Sequence, residues 1–375
     1  MEQVRKHELS AFLSKEGCSD FNTMDSYELE NIELLKLLIY MMMLQSIMTR
    51  FFKKDPNLLI STIFKDDVEL FEDLIDYGYN ANQPDDIGWT PLMAAINRGN
   101  CEIVKILSTA KANLNLIDNF GWIPLFYAIE LEGVEIVEHL INLGADVNQK
   151  DKIGGTPLTF AIEKENLEII KLLSKKGADV NLISIFGWTP LIAAINRGNC
   201  EMVKILSTAE ANLNSIDNFG WSPLLYAIKA EKVEIVEHLI DLGAVVNQKD
   251  AIGWTPLTFA IEKENLEIIR LLSKKGADVN LIGSIGWSPL TYAMHKKNME
   301  IIEFLVENGA KMNYLGISYV TPFQIAILQN DTEIIKFFKD KGANLSIRDL
   351  RLNNNSFELA MKDNRVDVLK QLLFQ

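Results

Sequence analysis

The chain has 375 residues, 48% of them hydrophobic and 23% charged, with a formal net charge of −14. That length serves several globular cores or one long array of repeats. The acidic balance argues against a nucleic-acid binder, which neutralises phosphates with Lys and Arg, and favours a basic partner or simple solubility. Three cysteines, Cys18, Cys101 and Cys200, are too few and too unpatterned for a disulfide framework or a metal site. They fit a reducing, intracellular (cytoplasmic) compartment.

Residues 1–55 read as an N-terminal helical extension. Met1–Lys15 can form a short amphipathic helix, and Gly17-Cys18-Ser19-Asp20 breaks it. A second helical pattern runs from about Asp25 to Phe52 with a dense apolar run, Leu34–Leu44. The run is too short for a membrane span, and with Lys36 within it and Glu33 just before, neither a span nor a signal peptide is expected. The expected role is a helical cap over the first repeat. The alternative is an adaptor helix that contacts a membrane or a second protein, helped by Arg50-Phe51-Phe52-Lys53-Lys54.

Residues 56–375 read as one repeat array. Pro56–Ile87 is a degenerate first unit. Then Gly88-Trp89-Thr90-Pro91-Leu92 recurs with prolines at 124, 157, 190, 223, 256, 289 and 322, a constant period of 33 residues. Thr or Ser before Pro is a helix start: the hydroxyl accepts from an orphan N–H, and proline at the first helical position has no donor to strand. Ile123 stands at that cap position in the third unit, which predicts the loss of a cap. A short helix such as Thr90–Arg98 follows, with small or aromatic packing residues. A polar turn and a second helix such as Glu135–Leu143 come next. Gly144 suits the left-handed stop, whereas Lys111 and Glu210 occupy it elsewhere. Those two stops are either strained or built differently.

A further unit begins near Tyr319, and a C-terminal cap runs from about Leu352 to the helix at Val366–Phe374, giving about ten units including both caps. Residues 88–186 and 187–285 match at about four positions in five, so a three-repeat block has been duplicated.

Thr-Pro-Leu, the Glu-Ile-Val or Glu-Ile-Ile helix, and Gly-Ala-Asp-Val-Asn at 144–148, 177–181 and 276–280 recur in phase. With this combination the chain resembles the ankyrin repeat family. The resemblance implies an all-α ankyrin repeat solenoid and protein binding through a concave groove. It departs from the family where a His usually follows Thr-Pro-Leu: Met93, Phe126, Thr159, Ile192, Leu225, Thr258, Thr291 and Gln324 stand there instead. Apolar packing is expected to replace the inter-repeat hydrogen bonding of that His.

Catalytic, cofactor and metal residues are not expected. Glu135/His139 and Glu234/His238 share helix faces at i, i+4, but no further ligand converges on them. No nucleophile motif or phosphate-binding loop occurs.

The candidate binding residues are aromatic. Trp89, Trp122, Trp188, Trp221, Trp254 and Trp287 all precede a first-helix cap, a position that the family resemblance places on the concave side. Phe120, Phe186 and Phe219 lie two residues earlier, with Ile87, Ile153, Ile252 and Ile285 in the other units. Ends of first helices add Arg98, Arg197 and His295 to the same side. The competing reading is that the indoles only brace neighbouring turns. The expected partner is a protein and not nucleic acid, with membrane contact kept only for the alternative adaptor reading, and the chain is expected to act as a monomer. Host-interacting bacteria, viruses and protists use such arrays, so delivery into a host cell is one role the resemblance admits.

Overall fold

The computed structural model describes residues 57–283, 286–315, 320–349, 353–362 and 365–373. The extension at 1–55, Ile285 and the unit start at Tyr319 lie outside them. The described residues form twenty helices and no strand.

Each repeat contributes a helix pair whose limits follow from its caps. First helices start at the repeated proline, as in Pro91–Asn97, Pro157–Glu163 and Pro223–Lys229. The preceding hydroxyl accepts the backbone N–H three residues on, from Thr90 (3.3 Å) through Ser222 (3.4 Å) to Thr321 (3.2 Å). Ile123 makes no cap bond and is instead completely buried. Nine-residue second helices follow, such as Leu167–Lys175 and Cys200–Thr208. Asn100, Asn166, Asn199, Asn265 and Asn298 cap five of them through the side-chain carbonyl, while Gly133 and Lys232 leave two without such a bond.

The chain divides into two compact units, Met1–Ala112 and Asn113–Gln375. In the first, Ile63, Phe71, Met93, Ile96 and Leu107 are the buried heart of two helix pairs. In the second, first helices stack on first helices. At each of these contacts a completely buried alanine, for example Ala161, Ala194, Ala227 and Ala260, leaves room for the neighbour. The isoleucine after each alanine (Ile162, Ile195, Ile228 and Ile261) is equally buried, worth about 1.5–3 kcal/mol apiece.

Lys111 (φ 56°) and Glu210 (φ 64°) adopt the same left-handed stop as Gly144 (φ 99°). The helices therefore end alike, and the two side chains carry the strain. Among the described residues the turns within pairs are also left-handed, at Glu132, Glu165, Glu231 and Glu264 as at Gly99 and Gly198.

The replacements for the family's His behave in three ways. Met93, Phe126, Ile192 and Leu225 pack in the core. Thr159, Thr258 and Thr291 bond back to their own cap residues, Thr156, Thr255 and Ser288. Gln324 alone among these replacements reaches the following hairpin, donating from Nε2 to the Ile347 carbonyl at 2.9 Å and to that of Asn354 in the next unit at 3.4 Å. Elsewhere in the second unit, inter-repeat polar bonding has moved to an asparagine ladder. Asn115, Asn148, Asn181, Asn214, Asn247 and Asn280 each accept a backbone N–H 31 residues on, at 2.7–2.9 Å.

Candidate functional site

The segment before most first helices is a tight hairpin organised by one acidic side chain; Ser184 takes that place before Trp188 and Gly283 before Trp287. Asp217 Oδ1 accepts the backbone N–H groups of Phe219 (2.9 Å) and Trp221 (2.8 Å), and the Asp217 N–H donates back to the Trp221 carbonyl. Asp85, Asp118, Asp151 and Asp250 do the same in their repeats. Gly220 must be glycine here: its φ is +78°, and a Cβ would lie 2.6 Å from the Ala251 nitrogen of the next hairpin. With its own amide and that of the residue two on held by the anchor, the carboxylate or, for Phe186, the Ser184 hydroxyl, the residue at the hairpin tip is turned outward. Phe120, Phe186 and Phe219 are 63%, 59% and 68% exposed, and Ile153 and Ile252 are similarly open.

The tryptophans lie lower, against the first helices. In the second unit a line of ring contacts runs from Trp188 to Tyr226 (5.8 Å between centroids), Trp221 (5.2 Å), Phe259 (5.1 Å) and Trp254 (5.6 Å). It continues to Tyr292 (5.2 Å), Trp287 (5.0 Å) and His295 (4.2 Å, parallel within 4°). Most of these pairs are edge-to-face or tilted, the geometry that a ring quadrupole favours. Partial burial against the indole lowers the His295 pKa and favours the neutral imidazole.

Trp122 forms a shorter cluster with Phe126, Tyr127 and Phe160. The line then stops, because Gly155 replaces the next tryptophan and Ala193 the next helix aromatic. Trp89 and Arg98 belong to the first unit, where Trp89 stacks on Phe64 at 6.4 Å. Arg98 and Arg197 are exposed at the ends of their first helices.

Sequence reasoning missed the alternate rungs, Tyr226, Phe259 and Tyr292, and the acidic anchors. Both recur at the 33-residue period and were legible there. Tyr226 links the two sets, since its hydroxyl donates to Asp217 Oδ2 at 2.5 Å. Burial, and then this carboxylate, hold the phenol pKa far above its ordinary value. Tyr127 and Asp118 repeat the bond, also at 2.5 Å.

Trp188, Asn196, Phe219, Trp221, Tyr226 and Lys229 enclose an open pocket of about 370 Å³. Lys229 Nζ stands 5.1 Å from the Trp221 ring centre and 5.9 Å from that of Tyr226. The described residues contain no group of three or more His, Cys, Asp or Glu arranged to hold a metal, and no helix long and apolar enough to cross a membrane.

The profile of the family described as Ankyrin repeats (3 copies) matches residues 58–151, 158–250 and 247–316, well over half of the chain. The fold is similar to the crystal structure of the ankyrin repeat domain of Bcl-3, a unique member of the IkappaB protein family. Identity is 27% and the TM-score 0.56, over 59% of this chain and 100% of that one. No curated protein matches the chain significantly.

Proposed function

The chain belongs to the ankyrin repeat family, and on that premise we propose that it is a scaffold binding a protein partner through the face of its first helices and hairpins. Ankyrin repeats generally mediate protein–protein interaction, and the fold is non-catalytic. The observation that carries the proposal is the ring line from Trp188 to His295, bordered by outward Phe186, Phe219 and Ile252. Bracing a turn needs a buried ring; it does not need a second apolar row facing solvent. Exposed apolar rows of this kind mark interaction surfaces, and tryptophan is a common anchor within them.

The test is affinity capture from cell lysate with the full chain, repeated with Trp221→Ala and Trp254→Ala. Each change is expected to weaken the captured complex by about 2 kcal/mol or more. Thermal melting of each variant separates lost contact from lost fold. Unchanged affinity in a folded variant would remove the aromatic face as the binding site.

A further inference from the structure

Within this scaffold reading, on which the inference rests, we propose that the pocket between Trp188 and Lys229 binds an acidic peptide segment of the partner. One carboxylate sits on Lys229, and an adjacent large apolar side chain lies against Trp188, Phe219 and Trp221.

The duplicated block provides an internal comparison. In the first copy, Trp122 and Tyr127 are followed by Glu130, which is neutralised by Lys164 at 2.6 Å. In the second copy Trp221 and Tyr226 are kept, but Lys229 replaces the glutamate. That one exchange adds a cation and also deprives Lys263, the counterpart of Lys164, of its acid. Arg197, Lys229 and Lys263 are all exposed and have no carboxylate partner among the described residues. Nearby, Glu262 is taken by Lys296 at 2.7 Å, while Glu163 and Glu231 make no ion pair among the described residues. A chain of net charge −14 therefore carries a locally basic strip beside its most continuous aromatic surface. With screening over about 8 Å at physiological salt, a bound segment responds to this strip more than to the distant net charge.

The pocket is also chemically prepared for an acid. The ring faces of Trp221 and Tyr226 hold the Lys229 ammonium at the mouth. An ammonium has three donors and can meet a carboxylate without leaving the rings. Asp217, the nearest buried acid in the sequence, does not compete, because two backbone N–H groups and the Tyr226 hydroxyl occupy it. Asn196 is exposed and offers a donor and an acceptor to an extended backbone. The volume of about 370 Å³ suits one large side chain rather than a folded element.

The experiment selects a random twelve-residue peptide library on the immobilised full chain, then titrates the winners by fluorescence anisotropy. Enrichment of Asp or Glu next to an aromatic residue or leucine is expected. Binding should fall about tenfold or more with Lys229→Glu, and less with Lys229→Met, which keeps the stem. It should also weaken steadily as salt rises. Circular dichroism should be unchanged, since Lys229 is exposed. Enriched peptides that are basic or charge-indifferent, or a library yielding no binder, would overturn the acidic assignment. If such peptides still depend on Trp221, the scaffold reading survives alone. If binding ignores both Trp221 and Lys229, both fail.

Discussion

Tyr226→Phe isolates the link between the hairpin and the aromatic line. The change keeps the ring against Trp188 and Trp221 and removes only the hydroxyl that donates to Asp217 at 2.5 Å. Asp217 is 6% exposed, so no water readily replaces the lost donor. A hydrogen bond to a charged group contributes about 1.5–3 kcal/mol, and a loss of about 2 kcal/mol is expected in urea unfolding at pH 7. Tyr127→Phe removes the same bond to Asp118 and should cost about as much. The pH dependence has a definite sign. Burial and the carboxylate raise the folded phenol pKa. Its contribution is therefore fully present below the unfolded value of about 10 and declines as pH rises toward the folded one. The stability gap between wild type and variant should hold to about pH 9 and narrow above about pH 10. A loss under about 0.5 kcal/mol at both sites, or a gap that widens with pH, would refute the reasoning.

Three other substitutions or modifications test the rest of the frame. Burial first, and then hydrogen bonding and charge from Glu234, raise the Cys200 thiol pKa; iodoacetamide at pH 8 should label exposed Cys101 faster, and equal rates by peptide mass spectrometry would contradict this. Gln324→Leu should cost about 1–3 kcal/mol in urea unfolding by leaving the Ile347 carbonyl and the Thr321 N–H unpaired, whereas Gln324→His should recover part of it. Glu210→Gly should stabilise by up to about 1 kcal/mol, because the left-handed strain of a side chain slightly exceeds the added freedom of unfolded glycine; a lower melting temperature would show that Glu210 is not strained.

The helix pairs were legible because their start signals are local. Pro91 and Thr90 fix a helix end through groups within three residues, and the expected Thr90–Arg98 differs from the observed Pro91–Asn97 by one residue at each end. The tryptophan positions were legible for the same reason. Their partners were not read, although they were periodic. Tyr226 touches Trp188 of the preceding repeat and Trp221 of its own, so its role depends on stacking distance and not on any neighbour in sequence. The asparagine ladder was missed similarly: Asn148 looks like the last letter of a stop motif until the Asp179 N–H is found 2.7 Å away. The net charge of −14 suggested a basic partner or simple solubility, but a total says nothing about which carboxylates are already paired.

That last distinction decides which residues can report on binding. Trp221 makes ring contacts with Tyr226 and Phe259 and holds the Lys229 ammonium. Two aromatic pairs at about 0.5–1.5 kcal/mol each mean that Trp221→Ala must lower stability whether or not a partner exists. A weaker complex in that variant is therefore ambiguous until its melting is known. Lys229 is exposed, makes no ion pair among the described residues, and differs in sign from Glu130 at the matching place in the first copy. Exchanging the two charges, with Lys229→Glu in one copy and Glu130→Lys in the other, leaves net charge and composition unchanged; it takes an exposed acid from Lys164 and gives one to Lys263, so the lost ion pair is offset. If the pocket recognises an acid, affinity for the selected acidic peptides should drop about tenfold in this double variant at constant melting temperature. Retained affinity would place recognition on the exposed row of Phe186, Phe219 and Ile252 instead.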